Sequence, residues 1–179
     1  RDWTHERDRL ALEEELPIIF HTRDADEDLL SIIREEAGNK VRGVVHCFSG
    51  DEAFLRRCLD MGLYISFTCK LTLKNADSLR KVAAMVPIER LLLETDAPFL
   101  LPAALKNKKI PNEPANLVYL VEEWSRLVAL SKADIGRITT HNASMLFGLG
   151  LDDEARIAYE IRDSLYLNIT NRCTNDCDF

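Results

Sequence analysis

Short apolar runs that alternate with helix-length amphipathic stretches limit what this chain can fold into. Four runs, Leu16–Phe20, Val41–Val45, Leu63–Phe67 and Arg90–Leu93, begin 22 to 27 residues apart. A run of this length bounded by turn residues reads as a buried strand. The stretches between them read as helices. Asp24 and Glu27 place acidic residues in a first turn, Leu29, Leu30, Ile32, Ile33 and Ala37 recur at helical spacing, and Gly38 stops the pattern. Ser49 and Glu52 have the spacing of a capping box before a helix over 52–60, with Gly62 behind it. Asn75 is placed to cap a helix over 76–85 ahead of Pro87. Beyond a long loop, Leu117, Leu120, Val121, Trp124, Leu127 and Val128 share one helix face. Ser131 and Asp134 open a last helix that ends through Asn142–Phe147 at Gly148. Residues 1–15, charged with sparse apolar points, read as a surface helix.

Strands alternating with helices predict an α/β fold with a parallel sheet. The spacing is close to the unit of a (β/α)8 barrel, where about 250 residues carry eight units. A doubly wound open sheet has the same alternation, so spacing does not choose between them. The pattern changes after a short acidic linker over 151–155. Ile157, Tyr159 and Ile161 alternate, then Leu165, Leu167 and Ile169, with Arg162-Asp163-Ser164 between them. Period two on both sides of a polar turn predicts a hairpin. The domain reading is therefore an α/β unit over 1–150, the linker, and the beginning of a second domain over 156–179. With no initiator Met and a stop close behind a cysteine pair, both ends are expected to be cut.

Composition narrows the partners. Lys and Arg number 23 against 30 Asp and Glu, for a net charge of −7, so nucleic acid is not bound through an overall basic field. A phosphate-bearing substrate then needs metal ions or a local basic patch, and Lys106, Lys108 and Lys109 are the one compact basic stretch. No apolar run approaches the roughly 18 residues of a membrane span. Five widely spaced cysteines do not form a secreted disulfide framework, which favours a reducing, cytoplasmic setting.

Three of the four strands run into a metal-capable side chain: His21, His46 and, in Glu94-Thr95-Asp96, Asp96. Parallel α/β folds bind ligands at the carboxyl ends of their strands. Two imidazoles and a carboxylate are an ordinary ligand set for zinc or manganese. Hydrogen-bonded structural histidines and a helix-capping carboxylate are the plain alternative. What weighs against it is that buried strands end in charge only where something satisfies that charge.

The wording around these residues is specific. His21-Thr22-Arg23-Asp24-Ala25, His46-Cys47-Phe48-Ser49-Gly50, Glu94-Thr95-Asp96-Ala97-Pro98, Asn112-Glu113-Pro114 and Asn142-Ala143-Ser144-Met145-Leu146-Phe147-Gly148 follow in this order. Together they resemble the TatD family of metal-dependent deoxyribonucleases, over residues 1 to about 150. The resemblance implies a TIM-type barrel of which this chain supplies the second four βα units. It implies that His21, His46 and Asp96 are metal ligands, for Mg, Mn or Zn and for two ions in a complete barrel. Asp96 is also implied as the base toward an attacking water. DNA or another phosphodiester is the implied substrate, with Arg23, Asn112 and Glu113 as substrate-binding residues. The family's first strand carries a His-x-His pair and a later strand a metal-bridging Glu, and this chain is expected to begin downstream of both. Pro111 stands where the family commonly has Arg. A catalytically silent barrel serving a second domain, or an amidohydrolase-like hydrolase of another ester or amide, are the competing readings.

The tail carries a second resemblance. Cys173-x-x-x-Cys177, preceded by Tyr166-Leu-Asn-Ile-Thr-Asn-Arg, is similar to the start of the TatD-associated radical SAM proteins. It implies a covalently linked radical SAM domain, whose complete form holds a [4Fe–4S] cluster and S-adenosylmethionine, with Cys173 and Cys177 as two of three cluster ligands.

Overall fold

The computed structural model describes residues 9–37, 41–149, 158–161 and 164–167. Residues 9–13 are helical (α1). There follow β1 (Ile18–His21), α2 (Asp26–Glu36), β2 (Gly43–His46), α3 (Glu52–Asp60), β3 (Tyr64–Phe67), α4 (Asp77–Ala83), β4 (Leu91–Leu93), α5 (Leu117–Val128) and α6 (Lys132–Phe147). The strands form one parallel sheet in the order β1-β2-β3-β4. A doubly wound sheet reverses its strand order at a switch point. This order does not reverse, and buried residues of α2, α3, α4 and α5 join one core with Ile18, Phe20, Val45, Ile65, Phe67 and Leu91. Four strands in sequential order, with α2 to α5 packed on one face, make the parallel α/β sheet that the alternation predicts. Farther along, β5 (Ala158–Ile161) and β6 (Ser164–Leu167) pair antiparallel, as the alternation predicts.

Successive side chains of a strand point to opposite faces. On the face away from the core helices, the register lines up Ile19, Val44 and Tyr64 in one row and His21 with His46 in the next. Part of this face is covered: Val44 and Leu92 pack on Leu146, with Ala143 and Phe147 alongside. The end of α6 is pinned there by Arg42 Nη2 donating to Leu146 O (2.8 Å) and by Asn142 Nδ2 donating to Ile88 O and Leu91 O (2.8 Å each). Gly148 ends the helix at φ 64°, a conformation glycine adopts at little cost. Ile19 stays 54% exposed on this face.

Several boundaries differ from expectation. Each strand begins one or two residues later than its apolar run, because ladder hydrogen bonds, not hydropathy, define a strand. Asp51 caps α3, its carboxylate accepting from Phe54 N–H at 2.9 Å; Ser49 lies two residues too early for that reach. Neither α2 nor α4 has a side-chain cap: their first flanking residues are Ala25 and Ala76, so Asn75 is not a cap, and Asp24 lies ahead of the first turn, which holds Asp26, Glu27 and Asp28. Ser131 does cap α6, accepting from Asp134 N–H. Gly38 and residues 151–155 lie outside the described residues.

Gly43 pairs with Ile18, and a Cβ there would stand 2.6 Å from Ile18 O and 2.7 Å from Phe20 Cε2. The backbone oxygen cannot swing aside as a side chain would. Gly43→Ala is expected to destabilise the chain by about 1–3 kcal/mol, the range for overpacking, read as a lower urea midpoint at unchanged slope.

Candidate metal centre

His21 and His46 are the last residues of neighbouring strands and face each other in register. Their ring centroids are 5.5 Å apart at an interplanar angle of 34°. His21 is exposed and His46 half-buried. After His46 the chain turns through Cys47 at φ 50°. Glu94, one residue past β4, reaches over the end of β3 to β2, roughly 9–10 Å across two strand spacings. Its Oε1 accepts from Cys47 N–H and its Oε2 lies against His46 Nδ1, both at 2.5 Å. A carboxylate at Nδ1 makes that nitrogen an N–H donor, so in the neutral ring Nε2 keeps its lone pair. Nε2 faces Asp96 Oδ1 at 3.7 Å. Asp96 sits at φ 55°, and Phe99 N–H donates to its carbonyl at 2.9 Å, closing a turn.

This donor set fits a divalent ion in chemistry and reach. Zinc–nitrogen and zinc–oxygen bonds are about 2.0–2.2 Å, so two donors 3.7 Å apart can share one ion between them. A metal-binding histidine whose other nitrogen is held by a carboxylate is a recurring arrangement. Among the described residues, no three His, Cys, Asp or Glu side chains are gathered so as to hold an ion by themselves. His46 and Asp96 form the set pair, and His21 stands beside them.

The other expected residues fall into two groups. Asn112 is only 4% exposed, and all four of its amide positions are used. Nδ2 donates to Thr95 O (2.9 Å) and Phe99 O (2.7 Å), while Oδ1 accepts from Glu113 N–H (3.0 Å) and Asn116 Nδ2 (2.9 Å). Asn112 thereby fastens the segment carrying Asp96, its amide hydrogens and oxygen lone pairs being used within the fold. Arg23 and Glu113 are exposed, and among the described residues Arg23 makes no ion pair. Lys106, Lys108 and Lys109 are exposed on the same long loop as Asn112.

The described cysteines offer no nucleophile in the core. Burial pushes the thiol of Cys58 up to about 12 and that of Cys69 up to about 11. Cys69, two residues past the end of β3, is wholly buried, its Sγ against Asn116 O. Cys173 and Cys177 lie outside the described residues. Sequence reading missed the part played by Glu94. Its place next to Asp96 was visible, but its partner is two strands away.

A family described as TatD related DNase matches residues 5–148. The chain belongs to this family. Among curated relatives, the uncharacterized metal-dependent hydrolase YabD of Bacillus subtilis is 43% identical over 138 residues, covering 77% of this chain and 53% of that protein. The 3'-5' ssDNA/RNA exonuclease TatD of Pantoea ananatis is 34% identical over 145 residues, covering 78% of this chain and 55% of that one. Among solved structures, the TatD homolog YjjV of Escherichia coli superposes with a TM-score of 0.73 at 29% identity, over 80% of this chain and 54% of that one. The chain thus spans about half the length of the relatives it matches. The family match stops at residue 148, ahead of the β5–β6 hairpin. Among the described residues, no helix is long and apolar enough to cross a membrane.

Proposed function

We propose that the chain carries part of the active site of a metal-dependent hydrolase of phosphodiester bonds, with DNA as substrate. The observation that carries this is His46, held at Nδ1 by Glu94 so that Nε2 meets Asp96 at the strand ends. When bound by His21, His46 and Asp96, a divalent ion (Mg, Mn or Zn, two in a whole barrel) supplies Lewis acidity that makes water a nucleophile near neutral pH. The protein residues then have separate tasks. Glu94 fixes the ring and tautomer of His46. Asp96 takes the proton as water attacks phosphorus and the bond to the leaving oxygen breaks. Arg23, exposed and unpaired among the described residues, meets a phosphate oxygen, and Glu113 lines the approach. Asn112 keeps the Asp96 turn in place.

The test is cleavage of a labelled DNA strand by the full-length protein with and without added divalent ions. Cleavage is expected with the ion and abolished by chelator. Glu94→Gln is expected to weaken metal affinity by about 10- to 100-fold, measured by titration calorimetry, because a neutral amide holds the imidazole less firmly. Hydrolysis of another ester or amide in place of DNA would move the assignment to amidohydrolase-like chemistry. No hydrolysis with an intact fold would make the domain a docking module.

Residues 156–179 are read, within the same proposal, as the start of a covalently linked radical SAM-type domain. The Cys173-x-x-x-Cys177 spacing and the end of the family match before the hairpin support this.

A further inference from the structure

We infer that Ser66 is a positioning residue of the candidate metal centre, its hydroxyl donating a hydrogen bond to an oxygen held at the ion. This rests on the metal-centre reading and adds to it a group from β3, the strand whose apolar run ends in no metal-capable side chain.

The strand register fixes the place of Ser66. Val44 is level with Tyr64 and Val45 with Ile65, so His46, one residue on, is level with Ser66. Ser66 O accepts from Phe48 N–H at 2.9 Å, which keeps β2 and β3 together past these pairs. Ser66 pairs with Leu92 on its other side, and His46 pairs with His21. One row across the sheet therefore reads His21, His46, Ser66, Leu92. Phe20, Val45, Ile65, Phe67 and Leu91 belong to the helix-covered core, so alternation puts this row on the opposite face. Neighbouring strands lie about 4.8 Å apart, and the Ser66 side chain leaves the sheet next to that of His46. Glu94, the next residue of its strand on this face after Leu92, crosses β3 to reach His46.

The hydroxyl has no other task. Ser66 is 3% exposed and makes no side-chain hydrogen bond among the described residues. Thr68, two residues on, is as deeply buried, but its Oγ1 accepts from Lys70 N–H at 3.4 Å and meets Cys47 Sγ at 3.7 Å. A buried hydroxyl without a partner lowers stability, and alanine in its place would not. A hydroxyl kept beside a metal-binding histidine at that cost suits a donor to the centre. Catalytic sites leave the ion a position for an oxygen that is not the protein's own. Such an oxygen has lone pairs to spare, and hydrogen bonds from just outside the ligands orient what the ion holds.

The test is calorimetric titration of the full-length protein with Mn²⁺ alone, beside the melting temperature of the metal-free protein. Ser66→Ala is expected to weaken Mn²⁺ binding about 10-fold, the lower end of the range for contacts just outside a metal's ligands. The metal-free melting temperature is expected to stay level or rise, because the variant removes an unpaired buried hydroxyl. Ser66→Thr keeps the hydroxyl on a residue suited to a strand and is expected to recover most of the affinity. Equal affinity in wild type and Ser66→Ala overturns the inference and leaves the metal centre standing. A loss in Ser66→Ala matched by a lower metal-free melting temperature assigns the effect to packing and overturns it too, as does a folded Ser66→Thr that binds no better than Ser66→Ala. A wild type that binds no Mn²⁺ removes the metal-centre reading and the inference with it.

Discussion

Asp96→Asn in the full-length protein is expected to lower metal-stimulated cleavage by about 10²- to 10⁴-fold, the range for losing a positioned general base. The substitution keeps shape and removes charge. Asn has no anionic oxygen to set against an ion shared with His46 Nε2, 3.7 Å away, and no basicity to take a proton from water. Folding is not expected to suffer. Asp96 is at φ 55°, where Asn is at least as well tolerated as Asp, and its side chain is 37% exposed. The melting temperature should therefore stay at the wild-type value while kcat falls. Cleavage at the wild-type rate would take Asp96 out of the chemistry. A fall in activity matched by a fall in melting temperature would assign the effect to folding.

Trp124→Ala is expected to cost about 3–5 kcal/mol, seen as a large drop in the urea midpoint. Trp124 is fully buried on α5, and its ring meets Phe67, the last residue of β3, edge-on at 5.4 Å. Phe67 in turn touches Phe48, which stacks on Phe54 of α3. Truncation would open a cavity in the middle of this chain of rings. Trp124→Phe should cost far less, below about 1.5 kcal/mol, because the ring contact survives and no hydrogen bond is lost. The indole Nε1 is buried with no partner among the described residues. Equal losses for the two variants would show that Nε1 has a partner, such as a buried water. Because Phe67 O accepts from Glu94 N–H, the alanine variant should also lower metal affinity.

Much of this was open to sequence reading because it depends on near neighbours. The face of α5, the Ser131 cap and the Gly148 stop need only a few residues of context. So do His21 and His46 as strand-end residues, since an apolar run that stops at a histidine shows where a buried segment meets solvent. The structural part played by Asn112 was not legible, because its partners include Thr95, Phe99, Glu113 and Asn116, and only folding the loop back shows that its amide is already used. Asp51 in place of Ser49 was a closer matter, settled by the reach of one carboxylate to Phe54 N–H.

The alternation of runs and helices by itself determined the class, a parallel sheet wound with helices, and marked His21, His46 and Asp96 as the residues to watch. Periodicity records which side of an element meets water, and that is written locally. Which histidine nitrogen is free was decided only by the tertiary structure. Glu94 binds His46 across the end of β3, a contact between residues 48 apart that exists only once three strands lie in register.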